Sequence, residues 1–265
     1  MLWHAKQKRL MLNSTPLDYI TFGTGAKTLV MIQGLNTRGI DGAAVSLAWM
    51  YRVFAKEYTV YLFDRRPNVP SDITVREIAA DVAAAMDGLG LNKADILGVS
   101  QGGMIAQYLA IDRPDLVNKL VLAVTLARNN ETVVNVIRHW TNLAQLGRMK
   151  ELITDMAYKM YSDAYLKRYK PLLPLLTLVQ KPRDVQRFVT LANACLTCSA
   201  YNELEKIQCP VFVIGGRKDR VIDKTACEEM AQKLHCQLYL YEHLGHAAYE
   251  EAPDFNQRVL EFLKS

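Results

Sequence analysis

The stretch Ile96-Leu97-Gly98-Val99-Ser100-Gln101-Gly102-Gly103 constrains the fold more than any other part of the chain. An apolar run leads into Gly98-Val99-Ser100-Gln101-Gly102, a G-x-S-x-G pattern. Met104, Ile105, Tyr108, Leu109 and Ile111 then recur at helical spacing. A strand that turns through glycines straight into a helix leaves the middle serine on a sharp corner. Its hydroxyl is then exposed at the strand's carboxyl end, above the positive helix N-terminus. Gly98 and Gly102 fit because a side chain at either place would collide across so tight a turn. Five positions also fit an ordinary turn carrying a solvated serine, so the rest of the chain has to discriminate.

Around that corner the sequence alternates between strand and helix patterns. Short runs at Lys8–Leu12 and Leu17–Phe22, joined at Asn13-Ser14-Thr15, predict an antiparallel start. Continuous apolar runs at Thr28–Ile32, Tyr58–Phe63 and Val117–Val124 predict strands covered on both faces. Between them, Ala43–Phe54 reads as a helix with Trp49 and Met50 on its apolar side. Thr74–Leu89 reads as an amphipathic helix in which Thr74 and Glu77 can form a capping box. Residues 127–205 break the pattern: no strand, and helices near 131–147, 148–160, 163–178 and 182–198, with Pro171 and Pro174 interrupting the third. Alternation resumes with strand Val211–Ile214, helix Lys224–Leu234, strand Gln237–Tyr241 and helix Phe255–Leu263. The expectation is an α/β protein with a mostly parallel central sheet flanked by helices. Its core is 1–126 with 206–265, and a helical insertion spans 127–205.

Composition narrows the function. Half of the 265 residues are hydrophobic and 22% are charged, as in a folded globular chain with a sizeable core. A net charge of +5 without clustered basic residues and exposed aromatics argues against nucleic acid. No apolar run approaches the length of a membrane span. Residues 1–12 lack the pattern of a secretory signal. With that, five cysteines, an odd number, predict reduced thiols and a cytoplasmic location. Cys195-Leu196-Thr197-Cys198 is a C-x-x-C without a second ligand pair, so packing is expected there and neither zinc nor redox chemistry. No cofactor is called for, and the sequence carries no sign of oligomeric state.

A serine nucleophile needs a base within reach, and the base needs an acid to orient it. Of His4, His139, His235, His243 and His246, the last two fall in a loop after a late strand, Glu242-His243-Leu244-Gly245-His246. Such loops at the carboxyl ends of parallel strands gather sites in open α/β sheets. Gly245 would let the backbone bring His246 over the sheet, whereas His243 lies just beyond the strand, as a surface residue would. For the acid, the strand at 211–214 runs into Gly215-Gly216-Arg217-Lys218-Asp219, which puts Asp219 at the same edge. Asp223 is the competitor, better suited to an N-cap. The order Ser100, Asp219, His246 suits a strand-turn-helix nucleophile. Oxyanion donors are then expected at the backbone N–H of Gln101 and at Leu35, behind Gln33-Gly34.

Taken together, these residues resemble the α/β-hydrolase-fold serine hydrolases of the bacterial type with a helical cap. The resemblance spans nearly the whole chain: Gln33-Gly34, Asp64-Arg65-Arg66, Gly98–Gly102, Gly215–Asp219, and Gly245-His246 followed by Glu250-Glu251-Ala252-Pro253-Asp254-Phe255. It implies Ser100 as nucleophile, His246 as general base then acid, Asp219 as orienting acid, Leu35 and Gln101 as oxyanion donors, and a cap from 127 to 205. Two departures stand out. The first loop, usually His-Gly, is Gln33-Gly34, and Pro67 stands where Asp-x-Arg-Gly-x-Gly supplies a glycine. The serine separates the chain from similar dehalogenases and epoxide hydrolases, which use aspartate there.

The expected activity is hydrolysis of a carboxylic ester, thioester or lactone of a small molecule through an acyl-Ser100 intermediate. C–C bond hydrolysis by the same residues is the chemical alternative. A non-enzymatic small-molecule receptor on the same fold is the alternative of another class. Trp140, Tyr158, Tyr161, Tyr165, Tyr169 and Leu172–Leu178 are candidates to line an apolar cleft, and Arg138, Arg148 and Lys159 to meet a substrate carboxylate.

Overall fold

The computed structural model describes residues 2–12, 15–169 and 182–265. Eight strands are present among them: β1 (Lys6–Leu12), β2 (Thr15–Phe22), β3 (Lys27–Ile32), β4 (Tyr58–Phe63), β5 (Ala94–Val99), β6 (Val117–Ala123), β7 (Val211–Gly216) and β8 (Gln237–Tyr241). They form one sheet in the order β1-β2-β4-β3-β5-β6-β7-β8. The β1/β2 and β2/β4 pairs are antiparallel, and the remaining pairs are parallel. The antiparallel start and the parallel remainder are as the sequence predicts; Asn13 and Ser14 lie outside the described residues.

Continuous apolar strands arise because both faces are covered. Val30, Ile32 and Ile96 pack with Ile78, Val82 and Ile105 on one side. Leu29, Met31 and Leu97 pack with Ala48, Phe54 and Val259 on the other. The period of two along each strand thus feeds two cores at once. Each fully buried side chain of this kind contributes roughly 1.5–3 kcal/mol of transfer free energy.

Helices α1 (Ala44–Met50) and α2 (Val75–Gly88) flank β4 in the chain, and α3 (Gln101–Asp112) follows β5. The capping box forms: the Glu77 N–H donates to Thr74 Oγ1 at 3.1 Å, and the Thr74 N–H donates to Glu77 Oε2 at 2.8 Å. The helix expected over 43–54 is divided. It stops at Met50, Tyr51 departs from helical dihedrals, and Arg52–Phe54 continue as a 3-10 turn. Trp49 does not face the core; it is 58% exposed, with the Arg52 guanidinium 4.4 Å from its ring. One residue is 100° of helix, so Met50 turns inward as Trp49 turns out.

Between β6 and β7 lie α4 (Glu131–Gln145), α5 (Met149–Met160), α6 (Asp163–Tyr169) and α7 (Val185–Cys195). Gly147, at φ 70°, sits between α4 and α5. An isolated bridge pairs Arg128 with Ser199, and the Tyr201 N–H donates to Ala127 O, so this helical segment leaves and rejoins the core at adjacent points. The rest of the third expected helix, with Pro171, Pro174 and Leu172–Leu178, lies outside the described residues. After β7 come α8 (Ala226–Leu234), a short α9 (Ala248–Glu251) that the sequence pattern did not single out, and α10 (Phe255–Lys264). Among the described residues no helix is long and apolar enough to cross a membrane.

Candidate active site

Chain order puts β4 on one side of β3 and β5 on the other. The direction of winding reverses there, and the loops leaving the two strands diverge to open a crevice at their carboxyl ends. Ser100 stands in that crevice at φ 54° and ψ −120°. This backbone region costs a residue with a side chain about 1–3 kcal/mol, and persists only where the surroundings enforce it. Here the Ser100 N–H donates to Ala123 O at 2.8 Å and Thr125 Oγ1 donates to Ser100 O at 2.7 Å, which clamps the corner to the end of β6. Gly98 and Gly102 are obligatory: a Cβ on Gly98 would lie 2.5 Å from Gly102 O, and one on Gly102 would lie 1.9 Å from Ile32 O.

Parallel strands β7 and β8 bring two more side chains to this edge. His246 Nε2 lies 2.9 Å from Ser100 Oγ, and His246 Nδ1 lies 2.7 Å from Asp219 Oδ2. Asp219 Oδ1 accepts the N–H groups of Val221 and Ile222 at 2.8 and 3.0 Å, so the carboxylate is fixed on both oxygens. A carboxylate can only accept, which places the proton on Nδ1 and leaves Nε2 to accept from the serine hydroxyl. Both partners are buried, His246 at 3% and Asp219 at 7% exposure, so water competes little with the chain of bonds. His4, His139, His235 and His243 are exposed. Asp223 is not the N-cap of α8, which begins three residues later; at φ 77°, its carboxylate accepts from the N–H and hydroxyl of Thr225.

The loop after β3 lies against the serine. A Cβ on Gly34 would sit 3.2 Å from Ser100 Cβ, and Leu35 lines the space in front of it. Gln101 is the first residue of α3, where a helix leaves its N–H without an intrahelical acceptor. Its side chain turns away, donating to Leu191 O at 2.5 Å and to Cys195 Sγ at 3.1 Å. Gln101 Oε1 accepts from Arg65 Nη2 at 3.0 Å, and the same Nη2 donates to Gln33 O. One guanidinium nitrogen therefore ties together the two loops that flank the serine. Arg65 is buried, and that burial lowers its pKa to about 10, with Arg187 adding repulsion and Asp64 opposing both. The Arg-Arg-Pro departure is braced elsewhere, by Arg66 paired with Asp81.

A cavity of about 580 Å³ opens beside Leu35 and Val99 and runs under α5 and α6. A second, smaller cavity of about 40 Å³ holds Ser100 and His246, and it adjoins the first through Gly34, Leu35, Met156, Met160 and Tyr249, which line both. Tyr161, Tyr165 and Tyr169 line the larger cavity and Trp140 the smaller one, whereas Tyr158 points out at 48% exposure. The cations expected to meet a carboxylate do not line it. Arg148 pairs with Glu151, Lys159 pairs with Asp155, and Arg138 is exposed. Glu250, which sequence reasoning passed over, does line it. The available signal was its position four residues after His246, one helical turn along at the same sheet edge.

All five cysteines are free, and burial pushes Cys195 up to about 11 and Cys198 and Cys227 up to about 12. Thiols held protonated in this way pack as small apolar groups and are poor nucleophiles at neutral pH. Among the described residues no group of three or more His, Cys, Asp or Glu is placed to hold a metal ion.

The model of the alpha/beta hydrolase family matches residues 29–256. A 3-oxoadipate enol-lactonase of Acinetobacter baylyi is 24% identical over 266 aligned positions, covering 96% of each chain. A 2-hydroxy-6-oxononadienedioate/2-hydroxy-6-oxononatrienedioate hydrolase of Pseudomonas putida is 27% identical, covering 94% of this chain and 91% of that one. The crystal structure of the enol-lactonase from Burkholderia xenovorans LB400 superposes with a TM-score of 0.84 at 22% identity, covering 97% of this chain and all of the other. A likeness of that degree shows a common fold.

Proposed function

The chain belongs to the alpha/beta hydrolase family, and we propose that it hydrolyses a carboxylic ester, thioester or lactone of a small molecule through an acyl-Ser100 intermediate. The observation that carries this reading is the unbroken line Asp219–His246–Ser100, with bonds of 2.7 and 2.9 Å, at the mouth of an apolar cavity. Ser100 Oγ attacks the carbonyl carbon while His246 Nε2 takes its proton, and Asp219 stabilises the imidazolium that forms. The N–H groups of Gln101 and Leu35 receive the charge on the carbonyl oxygen. His246 then protonates the leaving group, and a water deprotonated by His246 releases the acid and restores Ser100. Residues 127–205 act as a cap, a role supported by Trp140, Met156 and Met160 standing over the serine. Cytoplasmic residence belongs to the same reading, supported by the five free thiols. The Pseudomonas putida relative's name also favours a second reaction, C–C bond hydrolysis with the same three residues.

A fluorophosphonate probe followed by peptide mapping tests this reading together with a panel of esters, lactones, acyl thioesters and a vinylogous diketone. Label on Ser100 with turnover of the oxygen or sulfur esters is the expected result. Label with turnover of the diketone alone would replace ester chemistry by C–C cleavage. Binding of panel members without turnover would favour a receptor, and absence of label at Ser100 would remove the nucleophile.

Arg65 is assigned a positioning role. Replacing it by methionine removes the tie between Gln33 and Gln101 without leaving a buried charge unpaired. A lost bond from a charged donor is worth about 1.5–3 kcal/mol. The expected result for Arg65→Met is therefore a kcat about 10- to 100-fold lower at nearly constant KM, partly restored in Arg65→Lys. A rise in KM with kcat unchanged would assign Arg65 to substrate binding instead.

A further inference from the structure

The larger cavity carries chemistry that cleavage of a simple ester does not use. Tyr161, Tyr165 and Tyr169 follow one another with ring centroids 4.6 and 4.3 Å apart, and all three face it. Among the described residues lining this cavity, Glu250 is the one Asp, Glu, His, Lys or Arg. Glu250 is an exposed residue by surface area, and it lines this cavity. It accepts the Tyr161 hydroxyl. Desolvation by the surrounding protein raises the Glu250 carboxyl above the ordinary carboxylate value, and the phenols of Tyr161 and Tyr249 draw it back toward the ionised form.

A carboxylate on the wall of a mostly apolar cavity repels a second carboxylate and attracts a cation. Aromatic ring faces attract a cation and repel an anion; the Tyr161 and Tyr165 rings stack, and Tyr169, tilted against Tyr165, already holds the Arg168 guanidinium 5.5 Å from its centroid. The pattern is therefore opposite to what a carboxylate-bearing substrate needs. Relatives named for oxoadipate and dienedioate carry such acids in their names, yet Arg138, Arg148 and Lys159 are all directed elsewhere. We propose that the Glu250–tyrosine part of the cavity is a subsite for an ammonium group, quaternary or primary, on the substrate cleaved at Ser100. Calling the bound molecule a substrate rests on the ester-hydrolase reading; binding of the cation does not.

Three probes of one shape separate charge from fit: choline, the neutral 3,3-dimethylbutan-1-ol and the anionic 3,3-dimethylbutanoate. Calorimetric titration should show choline binding about tenfold more tightly than the alcohol, and the butanoate weakest. In Glu250→Gln the choline preference should fall to about twofold or less, with alcohol binding unchanged. Tyr161→Phe keeps the ring and removes only one donor to Glu250, so the order choline, alcohol, butanoate should persist there. The same preference should appear in turnover as a higher kcat/KM for butyrylcholine than for 3,3-dimethylbutyl butyrate. Equal affinity for choline and the alcohol, or a choline preference that survives Glu250→Gln, would overturn the subsite. Choline binding that behaves as expected in a protein that turns over neither ester would leave the subsite standing and remove the hydrolase reading.

Discussion

Replacing Ser100 by alanine is expected to lower turnover of p-nitrophenyl acetate by roughly 10⁶-fold, the scale on which a serine nucleophile and its base act as a unit. The fold should barely notice. Alanine meets the same backbone constraint at φ 54° as serine does, and the clamp uses the Ser100 backbone, not its hydroxyl. The lost bond to His246 Nε2 is worth about 1 kcal/mol, a shift of roughly 2–4 °C in the thermal midpoint for a chain of this size. Asp219→Asn should be milder, about 10⁴-fold, because it disturbs the tautomer of His246 while the oxyanion donors and the serine remain. Rate and melting curves measured on the same preparations make the test. Ser100→Ala retaining more than a few per cent of activity would remove Ser100 from the reaction.

Gly102→Ala should have the opposite profile, a large loss of stability that takes activity with it. The added Cβ would lie 1.9 Å from Ile32 O, 2.5 Å from Ile32 C and 2.6 Å from Gln33 O. All three are backbone atoms at the end of β3, which cannot rotate aside as a side chain could, so α3 has to retreat from the strand. Overpacking that a core can absorb costs about 1–3 kcal/mol. An overlap with fixed backbone should exceed that range and lower the thermal midpoint by roughly 10 °C or more. The same retreat parts Gln101 from the Gln33–Leu35 loop, so protein that still folds should hydrolyse esters slowly. Gly34→Ala is the control. Its Cβ would meet Ser100 Cβ at 3.2 Å, close but with a side-chain neighbour, and its effect should fall on activity more than on melting. A Gly102→Ala protein melting with wild type would show that α3 does not sit as tightly on β3 as this packing requires.

What could be read from the sequence was set by short-range physics. Ser100 needed a glycine two residues to either side because a Cβ at either place would collide with backbone packed against so tight a corner, and five consecutive letters carry that demand. Thr74 and Glu77 cap α2 because a helix start leaves N–H groups to be satisfied within three residues. The apolar runs of β3, β4 and β6 followed from burial on both faces. Parallel strands then place the loops after β3, β5, β7 and β8 at one edge, so Leu35, Ser100, Asp219 and His246 could be gathered without knowing a coordinate. Where local reasoning went astray, the margin was small: one residue separates Trp49 in solvent from Met50 inside, and Asp223 bonds to Thr225 in a turn instead of capping α8.

Only the tertiary structure decided what the cavity is. Tyr161, Tyr165 and Tyr169 could be named as lining candidates, but so could Tyr158, which packing of α5 sends outward. The sign of charge facing a substrate was not readable at all. Glu250 and Tyr161 are 89 positions apart, and Arg65 reaches Gln101 across 36. No periodicity links such pairs; Tyr161 meets Glu250 where the end of α5 lies against α9, and Arg65 meets Gln101 where the loops after β4 and β5 converge. The sequence alone therefore determined the strand-to-helix corner at Ser100 and the edge of the sheet where chemistry collects, since backbone dihedrals and burial periodicity act locally. The walls and charge of the space above that corner depended on how distant segments pack, and packing is a property of the folded chain as a whole.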